Sequence, residues 1–265
     1  MTGNKLRIGK MAYANLFPLF YMLQNECDCS EYEFIEGFPS DLNRRICLGE
    51  IDVSPSSSIE YLRNSSRYTL IGDHSISSLG PIKSIFLFSR KPIEELNGET
   101  ILTTSQSETS VALLRIILKK FYRLECPLES SSEALKDAIK SHPAYMLIGD
   151  EAMKEAAHWK QLHQYDLGEL WYKYTGLPMT FALWIARKDL NSKERLLVKF
   201  TQDLDRSKKS ALEHLGIVAA ASPLRHLLSE KALIKYWEGI SYDFTEAHKK
   251  GLALFRQYSE DLGTL

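Results

Sequence analysis

Residues 5–23, KLRIGKMAYANLFPLFYML, set the reading of the fold. Leu6 and Ile8 alternate with Arg7 and Gly9 as in a short strand, Asn15 to Pro18 break that pattern, and the apolar run Leu19 to Leu23 follows as a helix. The same strand, loop and helix recur downstream. Tyr32 to Ile35 reads as a second strand, followed by a helix from Ser40 in which Leu42 and Ile46 sit one turn apart and Gly49 supplies the stop. Ile51 to Val53 reads as a third strand. Its helix begins within the hydroxyl run Ser54, Ser56, Ser57, Ser58 and carries Ile59 and Leu62. Tyr68 to Ile71 and Ile82 to Phe88 are further β-rich runs, and the regular alternation predicts an α/β architecture with a mainly parallel sheet.

A second cycle opens after Arg90, Lys91 and Pro92. Thr100 to Thr103 reads as a strand, and Ser105 to Glu108 has the S-x-x-E spacing of a capping box ahead of a helix striped by Val111, Leu114, Leu118 and Phe121. Glu133 to Lys140 is another helix, Ala144 to Ile148 a buried strand ending at Gly149-Asp150, and Met179 to Ala186 the last β-like run. Beyond Asn191 the pattern is helical through Leu196 to Leu215, Leu227 to Trp237 and Thr245 to Tyr258. The economical layout has residues 1–88 and 187–265 as one lobe, with residues 89–186 inserted as the other. The chain would cross twice, near Ser89-Arg90 and Ala186–Lys188, with the C-terminal helices on the first lobe and a ligand in the cleft between the two.

Composition excludes several classes. The 265 residues are 44% hydrophobic and 25% charged, enough to bury a core, and the formal net charge of -1 offers no global field for nucleic acid or an anionic membrane. No run approaches the roughly 18 apolar residues of a membrane span, and the first residues lack a secretory pattern, so a cytoplasmic location is expected. Cys27, Cys29, Cys47 and Cys126 match neither a zinc site nor a disulfide framework, and His158 and His163 do not form a metal-binding pair. Nucleophile-elbow, phosphate-loop and dinucleotide motifs are missing as well. Neither metal nor cofactor is expected.

Candidate chemistry lies in hydroxyls at loop-to-helix junctions. Ser56, Ser57 and Ser58 in one lobe, with Ser105, Ser107, Thr109 and Ser110 in the other, would aim hydroxyls and helix N-termini at an anion bearing carboxylate or phosphate. Each of them singly reads as a helix cap. Asn15, in the loop after the first strand, is placed to hydrogen-bond a polar group of the same ligand, or to satisfy its own turn. Asp52, Glu60, Asp150 and Glu151 form no recognisable dyad and read as structural, as does the aromatic cluster Trp171, Tyr172, Tyr174. Arg7, Lys10, Lys83 and Arg90 are the cations nearest the proposed cleft.

The ordered series RIGKMAYANLFPLF, FPSDLNRRICLGEIDVSPSSSIEY, ISSLGPIKSIFLFSR, TSQSETSVALL, YMLIGDEAM and DLGELWYKYTGLPMTFALWIARKD closely resembles the chorismate dehydratases of the futalosine route to menaquinone, over about residues 6–189. GEIDV is generic to solute-binding folds, whereas its combination with S-x-x-G-P-x-x-S, L-I-G-D-E-A and T-G-L-P is specific. The resemblance implies a two-lobed type II periplasmic-binding-protein fold used as a cytoplasmic enzyme, and loss of water from chorismate to give 3-[(1-carboxyvinyl)oxy]benzoate. It carries the substrate site onto Asn15, Ser84, Ser107, Thr109 and Ser110, to which Ser57 is added from the hydroxyl run. Lys10 stands where the family often has Arg. The implied partner is the small molecule chorismate, with neither nucleic acid nor membrane.

Three alternatives stand beside it. The sister enzyme that cleaves a cyclic futalosine derivative shares the fold but carries a His-Glu pair where this chain has Gly149-Asp150. A non-catalytic solute-binding protein would need an export signal, and a ligand-sensing module would need a basic DNA-binding element.

Overall fold

A computed structural model describes residues 5–265. Residues 1–4, with which the expected first lobe begins, lie outside the described residues. In chain order the strands are β1 (Leu6–Lys10), β2 (Tyr32–Glu36), β3 (Val53–Ser57), β4 (Tyr68–Ser78), β5 (Ile85–Ser89) and β6 (Ile101–Thr104). There follow β7 (Leu128–Ser131), β8 (Ala144–Ile148), β9 (His163–Asp166), β10 (Met179–Arg187) and β11 (Ser241–Asp243). They form two sheets, ordered β11-β4-β10-β3-β1-β2 and β7-β6-β8-β5-β9.

The chain divides into two compact units, Met1–Ile76 with Ala182–Thr245 and Ser77–Phe181 with Glu246–Leu265. Strand β4 carries the chain out of the first unit, β10 brings it back, and a third passage follows Thr245. This corrects the expected boundaries at residues 88 and 187 and the expected double crossover. Strand β5, expected in the first lobe, pairs antiparallel with β8 (Ile85↔Ile148) and β9 (Phe86↔Asp166), so Leu87 and Phe88 are core residues of the second sheet. The last helix, Glu246–Asp261, also belongs to the second unit. Phe255 packs edge-on against Trp171 at 6.1 Å, Lys120 pairs with Asp261 at 2.7 Å, and Gly251 lies so close that a Cβ there would sit 2.1 Å from the Pro178 carbonyl.

Both sheets are mixed rather than mainly parallel. In the first, β1 runs parallel to β2 (Ile8↔Phe34) and to β3 (Ile8↔Val53), while β10 pairs antiparallel with β3. In the second, β6 runs parallel to β7 and β8, with β5 antiparallel beside them. The hydroxyl run is strand where helix was expected, because Ser54 and Ser56 pair with Ile185 and Leu183 of β10 and the helix Ser58–Arg63 starts only after them. The stop at Gly49 falls as read, in the left-handed region at φ 79.

One buried ion cluster fixes the first unit. The Asp52 carboxylate, wholly buried, accepts from the Arg7 backbone N–H at 2.8 Å, from the Arg7 guanidinium at 2.5 and 3.2 Å and from Lys193 at 2.6 Å. It thereby ties β1, the entry to β3 and the start of the helix Glu194–Glu213. Burial pushes the carboxyl up, but the bonds from Arg7 and Lys193 outweigh it and hold the group below the usual carboxylate range. Breaking a buried pair costs about 3–5 kcal/mol, and the 31% of the Arg7 side chain left in water lowers that here. Asp52→Asn is therefore expected to lose about 2–3 kcal/mol at pH 7 in urea melts. Because the folded pKa is depressed, this stability is present above the unfolded value of about 3.9 and vanishes as pH falls through the lower folded value. The gap between variant and parent should accordingly close under acid.

Candidate active site

In the first unit the parallel register of β1, β2 and β3 places their carboxyl ends along one edge. The chain leaving β1 at Lys10 turns through Met11 to Leu16 and enters the helix Phe17–Glu26, with Pro18 in its first turn. That turn is bolted from far along the chain. The Ala14 carbonyl accepts from Trp237 Nε1 at 2.8 Å, the Asn15 carbonyl accepts from the Tyr242 hydroxyl at 2.6 Å, and the Phe17 ring stacks on Trp237 at 6.3 Å. With its backbone held in this way, Asn15 keeps its side-chain Oδ1 buried and without a hydrogen-bond partner. An unpaired buried acceptor costs about 1–3 kcal/mol and calls for a reason.

On the same edge Ser57 caps the helix Ser58–Arg63. Its hydroxyl accepts from Glu60 N at 3.3 Å and from Asn43 Nδ2 at 3.0 Å. The hydroxyl of Ser57 is thus engaged in capping, whereas that of Ser56, on β3, is buried and without a partner.

In the second unit the carboxyl ends of β6 and β8 and the amino end of β5 share an edge, set by Ile101↔Ala144 and Ile85↔Ile148. The helices Glu108–Ile116 and Gly149–His158 both start there, turning their positive ends to that edge. The cap of the former is Ser107, correcting the expected Ser105, which is exposed. Ser107 Oγ accepts from Ser110 N at 3.2 Å and bonds Ser110 Oγ at 2.9 Å, and Val111 N donates to the Ser107 carbonyl at 3.2 Å. Ser107 is half-buried, while Thr109 and Ser110 are buried. Ser84, also buried, precedes β5; its carbonyl accepts from Gly149 N at 2.7 Å and its Oγ lies 3.5 Å from the Ile82 carbonyl. Glu151, in the first turn of the helix Gly149–His158, has its carboxyl pushed up by burial and by Glu155.

The structure therefore unites Ser107 with Ser110 and sets Ser84 on the same edge; Asn15 and Ser57 share the corresponding edge of the first sheet. Other candidates have structural duties. Arg7 is held by Asp52, and Lys10 by Glu36 at 3.3 Å and Gln24 at 3.2 Å. Glu60 accepts from Tyr68 and Asn64. Trp171 is core, packed on Phe121 and Phe255, while Tyr172 lines a surface depression of about 550 Å³ with Leu79, Pro81 and Tyr122. Sequence reasoning missed Asn43, Trp237 and Tyr242, which no local spacing reveals, and Asp166, whose D-x-x-E spacing to Glu169 marks a helix start. Among the described residues no cluster of His, Cys, Asp or Glu is arranged to hold a metal ion, and no helix is long and apolar enough to cross a membrane.

Two mixed sheets, each with helix N-termini and hydroxyls along the carboxyl edge of its parallel strands, define a protein of the periplasmic-binding-protein-like fold. Solved structures agree on this. Protein AF1704 from Archaeoglobus fulgidus superposes with a TM-score of 0.83 at 18% identity, covering 100% of both chains. The alkanesulfonate-binding protein SsuA from Xanthomonas axonopodis pv. citri, bound to MOPS, gives 0.64 at 14% identity over 99% of this chain and 93% of that one. A Candida albicans gene product described as exhibiting the generic periplasmic binding protein fold gives 0.67 at 10% identity over 98% and 95%. The chain belongs to the menaquinone biosynthesis family, whose model matches residues 6–261. It is 29% identical to the chorismate dehydratase of Thermus thermophilus, over 94% of this chain and 93% of that protein.

Capping and ligand contact at Ser107 can be separated. Ser107→Ala should cost about 1 kcal/mol in thermal or urea melts. Ser107→Asp also caps and should melt near the parent, yet it sets a carboxylate where an anion would bind. A Ser107→Asp protein with a normal melt and sharply weakened affinity for a carboxylate anion, read by calorimetry, is the expected result. Unchanged affinity would remove Ser107 from the site.

Proposed function

We propose that this chain is a chorismate dehydratase, a hydro-lyase that removes water from chorismate to give 3-[(1-carboxyvinyl)oxy]benzoate. Family membership and the likeness to the Thermus thermophilus enzyme support the reading. The observation that carries it within the fold is the buried, unpaired Oδ1 of Asn15 on a turn held by Trp237 and Tyr242. At neutral pH chorismate carries two carboxylates, an ether oxygen and a single hydroxyl, and that hydroxyl is its one hydrogen-bond donor. It is also the group that departs. An acceptor fixed in place without a competing partner selects that hydroxyl and sets the direction of its C–O bond.

The dianion suits the second unit's edge, where the helix N-termini and the hydroxyls of Ser84, Ser107, Thr109 and Ser110 supply positive potential and donors; Ser57 serves from the first unit as the residue that anchors Asn43 and the helix Ser58–Arg63. In the elimination, the proton on the ring carbon bearing the enolpyruvyl ether passes to the substrate's own enolpyruvyl carboxylate. The C–H electron pair becomes the new ring double bond, the C–O pair leaves with the hydroxyl, and that oxygen takes up the proton as water. The ring becomes aromatic, so much of the driving force belongs to the substrate, and the residues named need only bind and orient. A cytoplasmic location accords with four free cysteines.

Incubation with chorismate, followed by the rise of aromatic absorbance and by chromatography of the product, tests the reading directly; no product at high enzyme concentration would end it. Asn15→Ala is expected to lower kcat by roughly 10²-fold, as loss of orientation does, with a much smaller effect on binding. Asn15→Asp should be at least as damaging, because it faces a dianion with a charge. Asp150→Asn should keep most of the rate. A larger loss at Asp150 than at Asn15 would make a protein carboxylate the base.

A further inference from the structure

We propose that Asp166 is a positioning residue that fixes Ser84 by gripping the loop before it through backbone N–H groups; this rests on the reading of Ser84 as a substrate-binding group. Asp166 ends β9 and is buried. Its carboxylate accepts four backbone N–H groups: Oδ1 from Ile82 at 3.1 Å, Gly168 at 2.9 Å and Glu169 at 3.1 Å, and Oδ2 from Lys83 at 2.6 Å. The bonds from Gly168 and Glu169 are the ordinary cap of the helix Leu167–Thr175. That helix has no need of the other two. They reach back 84 and 83 residues to the loop that leads into Ser84.

The loop is held in a conformation it would not adopt alone. Lys83 has φ 60, a left-handed backbone that is unfavourable for a side-chain-bearing residue and persists only where its surroundings impose it. The surroundings here are specific. The Lys83 N–H is drawn to Asp166 Oδ2, Ser78 Oγ donates to the Gly80 carbonyl at 2.8 Å, and Gly168 admits the loop because a Cβ there would lie 2.7 Å from both the Gly80 carbonyl and Ser78 Oγ. On the far side of Lys83, the Ser84 carbonyl takes the Gly149 N–H at 2.7 Å, at the start of the helix Gly149–His158. Ser84 is thus fixed between the clamp and a helix N-terminus. If Lys83 relaxed to negative φ, the Lys83–Ser84 peptide would rotate and carry the Ser84 hydroxyl away from the sheet edge.

Asp166→Asn is nearly isosteric and keeps an oxygen for the cap, but its amide NH₂ would meet the Lys83 N–H donor to donor. The expected result is a fall in kcat of about 10- to 100-fold on chorismate with KM little changed, as for a displaced group. The same substitution in a Ser84→Ala background should cost almost nothing further, since its effect runs through Ser84. Equal losses in the two backgrounds would overturn the proposal. A second measurement needs no variant and no turnover: hydrogen exchange of the wild-type Lys83 amide. Slow exchange that becomes fast in Asp166→Asn is expected, and exchange at the rate of an open loop in the wild-type protein would overturn the clamp. Should the wild-type protein leave chorismate untouched, the proposed function falls while the exchange result still decides whether Asp166 holds the loop.

Discussion

Strand β1 lies parallel between β3 and β2, and β6 lies parallel between β7 and β8. That constraint governs the rest. Parallel neighbours cannot be joined by a tight turn, so the chain must cross over through a helix, and each such helix begins where a parallel strand ends. The N-termini of the helices after β1, β3, β6 and β8 therefore collect at the carboxyl edges of their sheets, together with Asn15, Ser57, Ser107 and the hydrogen bond from the Gly149 N–H to the Ser84 carbonyl. These candidate residues lie where they do because of strand direction, beside helix ends that favour an anion.

Much of this was legible in the sequence because it is local. Alternation in residues 5–10, the stop at Gly49 and the buried stripe after Ser107 need only the periods of strand and helix, and they located the loops that carry Asn15 and Ser107. What was not legible depends on partners distant in the chain. Strand β5 reads as a strand in either unit, and its register with β8 and β9 decides which. The helix Glu246–Asp261 is amphipathic wherever it packs; Gly251 against Pro178 and Phe255 against Trp171 assign it to the second unit. Strands β7, β9 and β11 are three or four residues long, too short for a period of two to register.

The candidate site divides in the same way. Ser107 and Ser110 stand three apart on one helix start, so their pairing is written in their spacing. The standing of Asn15 could not be read, because it rests on bonds from Trp237 and Tyr242, more than 220 residues later in each case. The same holds for Asp166, whose local spacing announces a cap but whose other two bonds reach Ile82 and Lys83.

The buried polar groups show an order that bears on the chemistry. The buried carboxylates are well supplied: Asp52 has Arg7 and Lys193, Asp203 has Lys199 at 2.7 Å and the Tyr32 hydroxyl at 2.7 Å, and Asp166 has four N–H donors. Even so, burial holds the Asp166 carboxyl above the ordinary carboxylate range against those four bonds. Asn15 Oδ1 and Ser56 Oγ, left without partners, are neutral. A buried charge without partners would cost several kcal/mol or shift its proton, whereas a neutral acceptor costs about 1–3 kcal/mol, a deficit that a folded domain can carry and a bound hydroxyl can cancel. A neutral acceptor also presents no charge to a dianion. On the proposed reading, a substrate rich in negative charge is selected by its one donor through an uncharged amide on an immobile turn, while the charged groups Asp52, Asp203 and Asp166 stand at structural positions.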